Sequence, residues 1–318
     1  MGVRIQELPE TTGINKEDVL IVEDGQGTKK GTVKQLDETL GVSQLKEDIE
    51  NGYIGIVKRV GNDTIITNNN ATYILKHIID DSINVDCHRV YECRFTKNNE
   101  IIWTKSDADG VIKLIDEEDF IGGFHGDEIT TKMELYIDGI KISDGDFTEM
   151  GYKEITLYCE SNCYHCNTSE KANQLAFIRY KIITFNKYGF RIQNRWIAQD
   201  EVDVYSAFFG MLSVNKKYAD GTTSLINSYH TDNEIKLLGS SDETGRVLQN
   251  VNECIMHTPI CNISMKYNGT KENYNKGYVD NYESQGRLKC YMGVVANNNS
   301  GVHYAVGDEL VGDYIISI

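Results

Sequence analysis

Residues 119–130, DFIGGFHGDEIT, place three titratable side chains within four positions: His125, Asp127 and Glu128. Glycines on both sides of the histidine let the backbone approach a ligand closely, because glycine has no side chain. An imidazole can act as a general acid or base, and neighbouring carboxylates can tune its pKa or share a ligand with it. We predict a candidate catalytic site here, to which Arg195 and His230 also contribute. The competing interpretation is an ordinary solvated glycine turn.

Two kinds of glycan-degrading chemistry fit these residue types. A polysaccharide lyase needs an acid or base such as His125 and a cation that neutralises a uronate carboxylate, a role that Arg195 could fill. A glycosidase needs paired carboxylates, of which Asp127 or Glu128 could supply one. The partner residue of either mechanism is not identified by the sequence.

The same string resembles the first zinc-ligand motif of the metallocarboxypeptidase and aspartoacylase group, Gly-x-His-Gly-x-Glu. The resemblance implies that His125 and Glu128 are zinc ligands and that Asn194–Arg195 clamps the substrate, with His230 or His257 as the third ligand. That group is built on a mixed α/β sheet with covering helices, whereas the intervening sequence here consists of predicted hairpins. We therefore keep a zinc-dependent hydrolase as an alternative and expect no cofactor and no metal.

A second cluster of metal-ligand types is the run CESNCYHC, with Cys159, Cys163, His165 and Cys166. Three thiols and an imidazole could bind a structural zinc ion, but His165 is adjacent to Cys166 instead of at the usual spacing of a second ligand pair. Without a secretion signal in the sequence, free or locally bridged thiols in a plain hairpin are the favoured interpretation.

Composition narrows the possible partners. The net charge of −16 argues against nucleic-acid binding, since phosphate contacts require clustered Lys and Arg. Apolar residues form 40% of the chain, enough for a packed core. No stretch reaches the roughly 20 consecutive apolar residues of a membrane span, so we expect no membrane insertion.

The elements that must position these residues are predicted to be strands. From residue 53 onward, segments rich in Ile, Val, Tyr and Phe alternate with clusters of Asn, Asp and Gly. Examples are EITLYCES, LAFIRYKIITF, GFRIQNRWIA, VDVYSAFFGMLSV and DYIISI. Turn signals at this spacing predict a mainly β fold, an antiparallel, jelly-roll-like β-sandwich over residues 53–318. Only Tyr73–Asp81 offers another plausible helix in this region.

The first 52 residues have a different pattern. In residues 1–35, the apolar run Val19–Val22 precedes the turn Asp24–Gly27 and a second short strand, which predicts a small hairpin. Residues 36–52 are predicted to form a short helical neck, with Val42, Leu45 and Ile49 on one face. Because a hairpin this small is not stable alone in water, it requires a partner surface.

This N-terminal region resembles the start of many phage tail-fibre and baseplate proteins. The matching residues are Ile5, Glu7–Glu10, Asp18, Leu20, Val22–Gly25, Thr28–Lys30, Thr32 and Val33. The resemblance implies a virion-attachment segment, a homotrimer joined at the helical neck, and contacts with other tail or baseplate proteins.

The expected function is therefore that of a phage tail-tip protein, made in the bacterial host cytoplasm and located in the virion tail, that recognises a host surface polysaccharide. The alternative is a tail-associated polysaccharide-degrading lyase or hydrolase that uses the His125 region. Whether the chain is an enzyme stays open at this point.

Overall fold

A computed structural model describes most of the chain from residue 52 onward and two short strands before it. The described residues are 19–23, 28–32, 52–105, 109–143, 147–221, 223–231, 235–237, 246–249, 252–269, 276–282, 286–295 and 298–318. The chain divides into two compact units, Met1–Tyr53 and Ile54–Ile318.

The described residues contain 24 strands and one short 3₁₀ helix. The first twelve strands are β1 Val19–Glu23, β2 Thr28–Thr32, β3 Gly55–Val60, β4 Asp63–Asn68, β5 Ala71–Asp80, β6 Val85–Phe95, β7 Ile101–Thr104, β8 Val111–Leu114, β9 Glu128–Ile137, β10 Ile140–Ile142, β11 Phe147–Tyr152 and β12 Ile155–Tyr164. The others are β13 Leu175–Asn186, β14 Gly189–Ala198, β15 Val202–Asn215, β16 Ser228–Thr231, β17 Ile235–Leu237, β18 Arg246–Gln249, β19 Glu253–His257, β20 Asn262–Tyr267, β21 Lys276–Tyr282, β22 Arg287–Val295, β23 Val302–Tyr304 and β24 Glu309–Ser317. The 3₁₀ helix spans Asp81–Ile83.

The predicted N-terminal hairpin is confirmed. Strands β1 and β2 pair antiparallel, with Val19 opposite Thr32 and Glu23 opposite Thr28. The rest of the predicted attachment segment and the neck over residues 36–52, except its last residue, lie outside the described residues, so the helix and its Val42, Leu45 and Ile49 face stay predictions.

The larger of the two sheets in the second unit is mostly a succession of hairpins. Its strand order is β11-β3-β4-β5-β6-β9-β12-β13-β14-β24-β20-β19-β16-β17, with β7 and β10 attached at β6 and β9. The pairing is antiparallel except where β6 meets β9, and that parallel contact covers only Val85–Asp86 against Glu128–Ile129. The two strands share no further pairing beyond this point.

A smaller sheet packs on the larger one. Its order is β18-β21-β22-β15-β23, and β8 also pairs with β15. Trp196 of the large sheet stacks on Phe209 of the small one, with ring centroids 6.0 Å apart. The backbone of Gly210 lies so close to Tyr314 that a Cβ atom there would be 2.4 Å from the ring. The core lies between these two layers.

Alternating burial explains why these segments are strands. In β12, Ile155, Leu157 and Cys159 are buried, whereas the residues between them are half-exposed. Side chains of a strand point to opposite faces in turn, so this alternation buries one face of the sheet. The predicted mainly β, antiparallel, sandwich-like fold is confirmed. Within the described residues, no helix is long and apolar enough to cross a bilayer.

The predicted second helix at Tyr73–Asp81 is wrong. Residues 73–80 belong to β5, which pairs with β4 on one side and β6 on the other, and Asp81 begins the 3₁₀ helix. Tyr73 and Leu75 are buried at a spacing of two, and β-branched Ile74, Ile78 and Ile79 favour a strand over a helix. The 3₁₀ helix that follows, capped by the Asp80 side chain, turns the chain into β6.

Candidate functional site

Five polar side chains form a buried charge cluster between the two sheets: Asp109, Glu128, Arg179, Lys181 and Asn194. Arg179 donates to Glu128 Oε2 at 2.8 Å and to Asp109 Oδ1 at 2.9 Å, and Lys181 Nζ donates to Asp109 Oδ2 at 2.9 Å. Asn194 Oδ1 accepts from Arg179 Nε at 3.0 Å. Charges this far from water are stable only when each has an opposite partner and hydrogen bonds.

The cluster keeps its carboxylates ionised. Burial by itself raises the pKa of Asp109, but Arg179 and Lys181 outweigh burial and lower the pKa to about 2. The pKa of Glu128 is also lowered for the same reason. Burial lowers the pKa of Lys181, but the attraction to Asp109 outweighs burial, so the pKa of Lys181 is raised. The cluster is therefore two carboxylates facing two cations, all buried from solvent.

The buried charge cluster fixes the glycine-rich loop predicted to be a catalytic site. Glu128 Oε2 accepts from the backbone N–H of Gly123 at 2.8 Å, so this carboxylate anchors the loop from inside. His125 lies at the surface, where its Nδ1 is 2.8 Å from Asp119. Asp127 is buried and accepts from the backbone N–H of Asn167 at 3.3 Å.

The structure does not bring the five predicted site residues together. Arg195 is half-exposed and forms an ion pair with Glu309 at 2.5 Å. His230 lies on β16, where its Nδ1 is 2.8 Å from Nε2 of His257. In the described part of the chain, no three His, Cys, Asp or Glu side chains have the arrangement of a metal site. The zinc-ligand set implied by the peptidase resemblance is therefore not formed by these residues.

An open cleft of about 440 Å³ lies elsewhere, and we call it the histidine cleft. It is lined by Arg59, Gly61, Asn62, Thr64, Leu75, His77, His88, Met133, Leu135 and Leu157. The lining comes from β3 to β6 on one side and from β9 and β12 on the other, which are the two groups of strands that meet at the short parallel contact. Its aliphatic lining residues are Leu75, Met133, Leu135 and Leu157, and its polar ones lie in and beside the β3–β4 turn and on β5 and β6.

Two histidines on facing positions of β5 and β6 give the cleft its name. His77 and His88 are register partners, and their rings stack with centroids 4.2 Å apart and 10° between their planes. His77 Nε2 lies 2.6 Å from Asp86 Oδ1, which holds the ring in one orientation. Burial lowers the pKa of His88 to about 3, with smaller contributions in the same direction from His77 and Lys181. His88 is therefore neutral at physiological pH.

Within the part of the chain that the structure describes, Arg59 of this cleft has no carboxylate partner. Arg59 Nε donates to Thr64 Oγ1 at 3.3 Å, and the guanidinium lies 5.7 Å from the ring centroid of Phe147. The Nη groups of Arg59 form no hydrogen bond with another described residue.

A second cavity, of about 580 Å³, has the opposite charge, and we call it the acidic cavity. Buried His165 lies in its wall between two carboxylates, with Nδ1 2.7 Å from Glu117 Oε1 and Nε2 3.3 Å from Asp200 Oδ2. Lys171 forms an ion pair with the same Asp200. An imidazole between two carboxylates can carry and pass a proton.

Among the described residues, the cysteines near His165 do not form a metal-site arrangement with it. Cys159 and Cys163 are buried on one face of β12, and all eight cysteines of the chain have free thiols. Burial raises the pKa of Cys159 to about 11 and raises that of Cys163 as well. Since metals bind the thiolate form, these protonated thiols act as apolar core residues. The predicted strand hairpin is confirmed, since β12 and β13 pair antiparallel.

Sequence reasoning missed the histidine cleft for an identifiable reason. The string HIIDDSINVDCH places His77 and His88 at equal distances from the turn Asp80–Val85, so a hairpin would pair them directly. Assigning Tyr73–Asp81 to a helix removed that pairing. Arg59 carried no motif and is brought to the cleft by the β3–β4 hairpin alone.

No protein-family model matches the chain, and no curated protein matches its sequence. Among solved structures, it is similar to the galactosidase domain of the α-galactosidase–sucrose kinase AgaSK, with a TM-score of 0.47 and 10% identity over 80% of this chain and 40% of that one. It is similar to the GH36 α-galactosidase AgaA from Geobacillus stearothermophilus, with a TM-score of 0.46 and 8% identity over 82% and 40% of the two chains.

A galactose mutarotase-like protein from Clostridium acetobutylicum matches with a TM-score of 0.44 and 8% identity, over 84% of this chain and 98% of that chain. This chain spans 40% of the length of the two galactosidase structures. At TM-scores below 0.5, these likenesses do not assign a function to the chain.

Proposed function

We propose that this chain is a phage tail-tip protein that recognises a host surface polysaccharide through the histidine cleft. The observation that carries the proposal is the cleft itself: an open cavity of about 440 Å³ with polar groups around an aliphatic inner surface. Small-molecule sites in proteins have volumes of roughly 300–1,000 Å³ and combine apolar walls with a few placed polar groups.

The chemistry of the lining suits a sugar. A sugar ring has apolar C–H faces and hydroxyl groups at its edge, which need surfaces of both kinds. Leu135 and Leu157 provide an aliphatic surface, while the Asn62 amide and the neutral His88 imidazole supply hydrogen-bond donors and acceptors. Because β-strands carry Leu135, Leu157 and His88, and a tight turn carries Asn62, the site is formed before the ligand arrives.

The placement in a virion tail rests on the N-terminal sequence. The run from Ile5 to Val33 resembles the attachment segments of tail-fibre and baseplate proteins, and its β1–β2 hairpin is too small to be stable in isolation. In this proposal the hairpin docks on other tail proteins and a homotrimer presents three clefts to the host surface.

A glycan array of bacterial surface polysaccharides tests the binding function. Asn62 is exposed in the β3–β4 turn at the mouth of the cleft, so Asn62→Trp should block entry without disturbing the core. Lys187→Trp, in the exposed turn between β13 and β14, is the matched control. We expect the parent and the control to bind the same glycans and Asn62→Trp to lose them. Equal binding by all three proteins would refute the assignment of the cleft.

A second candidate function, a polysaccharide-degrading enzyme, is favoured by one observation. His165 lies between Glu117 and Asp200 in the wall of the acidic cavity, and the loop that carries the predicted residue His125 packs nearby through the 3.4 Å contact of Cys166 Sγ with the Asp119 carbonyl. In this alternative, His165 with Asp200 replaces His125 as the acid or base.

The enzyme candidate requires new reducing ends or unsaturated uronates from a bound polysaccharide. His165→Gln should then abolish their release and leave the array profile unchanged. Binding without release of either product would exclude the enzyme and leave the binding function in place.

A further inference from the structure

The charge of the histidine cleft differs from that of the whole protein. The chain contains 48 Asp and Glu residues and has a net charge of −16, yet none of the described residues that line the cleft is acidic. The basic side chains of the lining are Arg59, His77 and His88, of which His88 is neutral at physiological pH. Electrostatic attraction is stronger beside apolar walls than in open water, so this lining favours an anion over a neutral ligand.

Arg59 differs from other arginines of the protein. Among the described residues, its side chain contacts the Thr64 hydroxyl and the Phe147 ring. By contrast, several other described arginines bind a carboxylate: Arg94, Arg179, Arg191 and Arg195. An arginine side chain held through Nε presents its two Nη groups as a fork that matches the two oxygens of a carboxylate.

The contacts of the two histidines do not neutralise the positive charge of Arg59. The Asp86 carboxylate, which lies outside the lining, is bound to His77 Nε2 at 2.6 Å and is thereby directed at the imidazole instead of at Arg59. Lys181, fully buried behind the cleft, donates to the His88 carbonyl at 2.6 Å, but its charge is paired with Asp109 in the buried charge cluster. Arg59 is therefore the cationic group that an anion in the cleft meets.

From this arrangement we infer that the cleft takes the uronate residue of an acidic polysaccharide, with its carboxylate on the Nη groups of Arg59 and its ring against Leu135 and Leu157. The inference rests on the proposed glycan-binding function and adds the class of sugar. A uronate fits because it joins an anion to the C–H faces and hydroxyls of a pyranose ring, which match the aliphatic wall, Asn62 and His88.

The test uses the full-length chain and pairs of oligosaccharides that differ only at the carboxylate. Oligomers of galacturonate, glucuronate and mannuronate are each compared with their carboxyl-reduced forms by calorimetric titration. A sulfated neutral oligosaccharide separates recognition of a carboxylate from attraction to any anion. Arg59→Gln removes the charge, Arg59→Lys keeps the charge without the fork, and Arg191→Gln removes an arginine that is paired with Asp313 outside the cleft lining.

We expect at least one uronate oligomer to bind the parent at least about tenfold more tightly than its reduced form, since a hydrogen-bonded charge pair contributes about that factor. Arg59→Gln should abolish the difference, Arg59→Lys should retain part of it, and Arg191→Gln should leave it unchanged. Circular dichroism melting curves confirm that each variant is folded.

The other outcomes separate the two hypotheses. If reduced and acidic forms bind equally, or if only the sulfated sugar binds, the uronate inference is overturned while glycan binding stands. If no oligosaccharide binds and the polysaccharide array is also blank, the proposed function fails together with the inference.

Discussion

The stability of the protein should depend on pH through His88. The unfolded chain protonates this imidazole with a pKa of about 6.5, whereas burial lowers the pKa in the folded protein to about 3. Between these values the unfolded state binds one proton more than the folded state, so the free energy of unfolding falls as pH falls. A difference of one bound proton changes the free energy of unfolding by about 1.4 kcal/mol per pH unit. From pH 6.5 to 4.5 the loss is about 2 kcal/mol, after a reduction for the partial exposure of the ring.

Urea unfolding at several pH values in this window measures the effect. His88→Gln keeps a neutral polar side chain but cannot titrate, so its free energy of unfolding should lose about 2 kcal/mol less than that of the parent on going from pH 6.5 to 4.5. His303→Gln is the matched control because His303 is exposed and has a single carboxylate neighbour, Asp203. Parallel pH profiles for the parent and His88→Gln would refute the reasoning, whatever the offset between them.

Three further predictions concern the buried charge cluster, the glycine loop and the oligomer. Arg179→Gln should cost about 3–5 kcal/mol in urea unfolding because it leaves two buried carboxylates short of a cation, whereas Arg195→Gln, at an exposed ion pair, should cost less than about 1 kcal/mol. Equal losses would contradict the burial argument. Gly122→Ala places a Cβ 2.8 Å from the Trp196 ring, so it should melt several degrees below Gly139→Ala, whose Cβ meets open space at a similar positive φ. Light scattering of the intact chain should give the mass of a trimer, and a monomer mass at micromolar concentration would remove the neck hypothesis.

The sequence predicted the strands well because their cause is local. β12 to β15 carry alternating or fully apolar runs between Asn, Asp and Gly turns, and β12, β13 and β14 each pair with the next strand or the one before it in the chain. The error at Tyr73–Asp81 occurred because Lys76 and His77 interrupt the apolar run and leave its apolar residues at the spacing of an amphipathic helix. There, pairing with β4 and β6 decided the structure, and such tertiary pairing overrides local preference.

The candidate site was much less predictable. The GGFHGDE string drew attention to Glu128, which is in fact an internal anchor bound by Arg179, a residue 51 positions away. The histidine cleft joins strands that are distant in sequence, so neither its volume nor its lack of acidic groups is visible in any short motif. Long-range assembly of this kind requires the strand order, and in particular the short parallel contact of β6 with β9.

Hydrogen–deuterium exchange of the full chain, with and without a polysaccharide that binds on the array, tests the central claim most directly. If the histidine cleft is the binding site, protection should appear in residues 59–64 and in the β5–β6 hairpin that carries His77 and His88. Lys187→Trp should show the same pattern, and Asn62→Trp should show none. Protection confined to the loops at residues 115–127 and 164–172 would place the ligand at the acidic cavity and contradict the account.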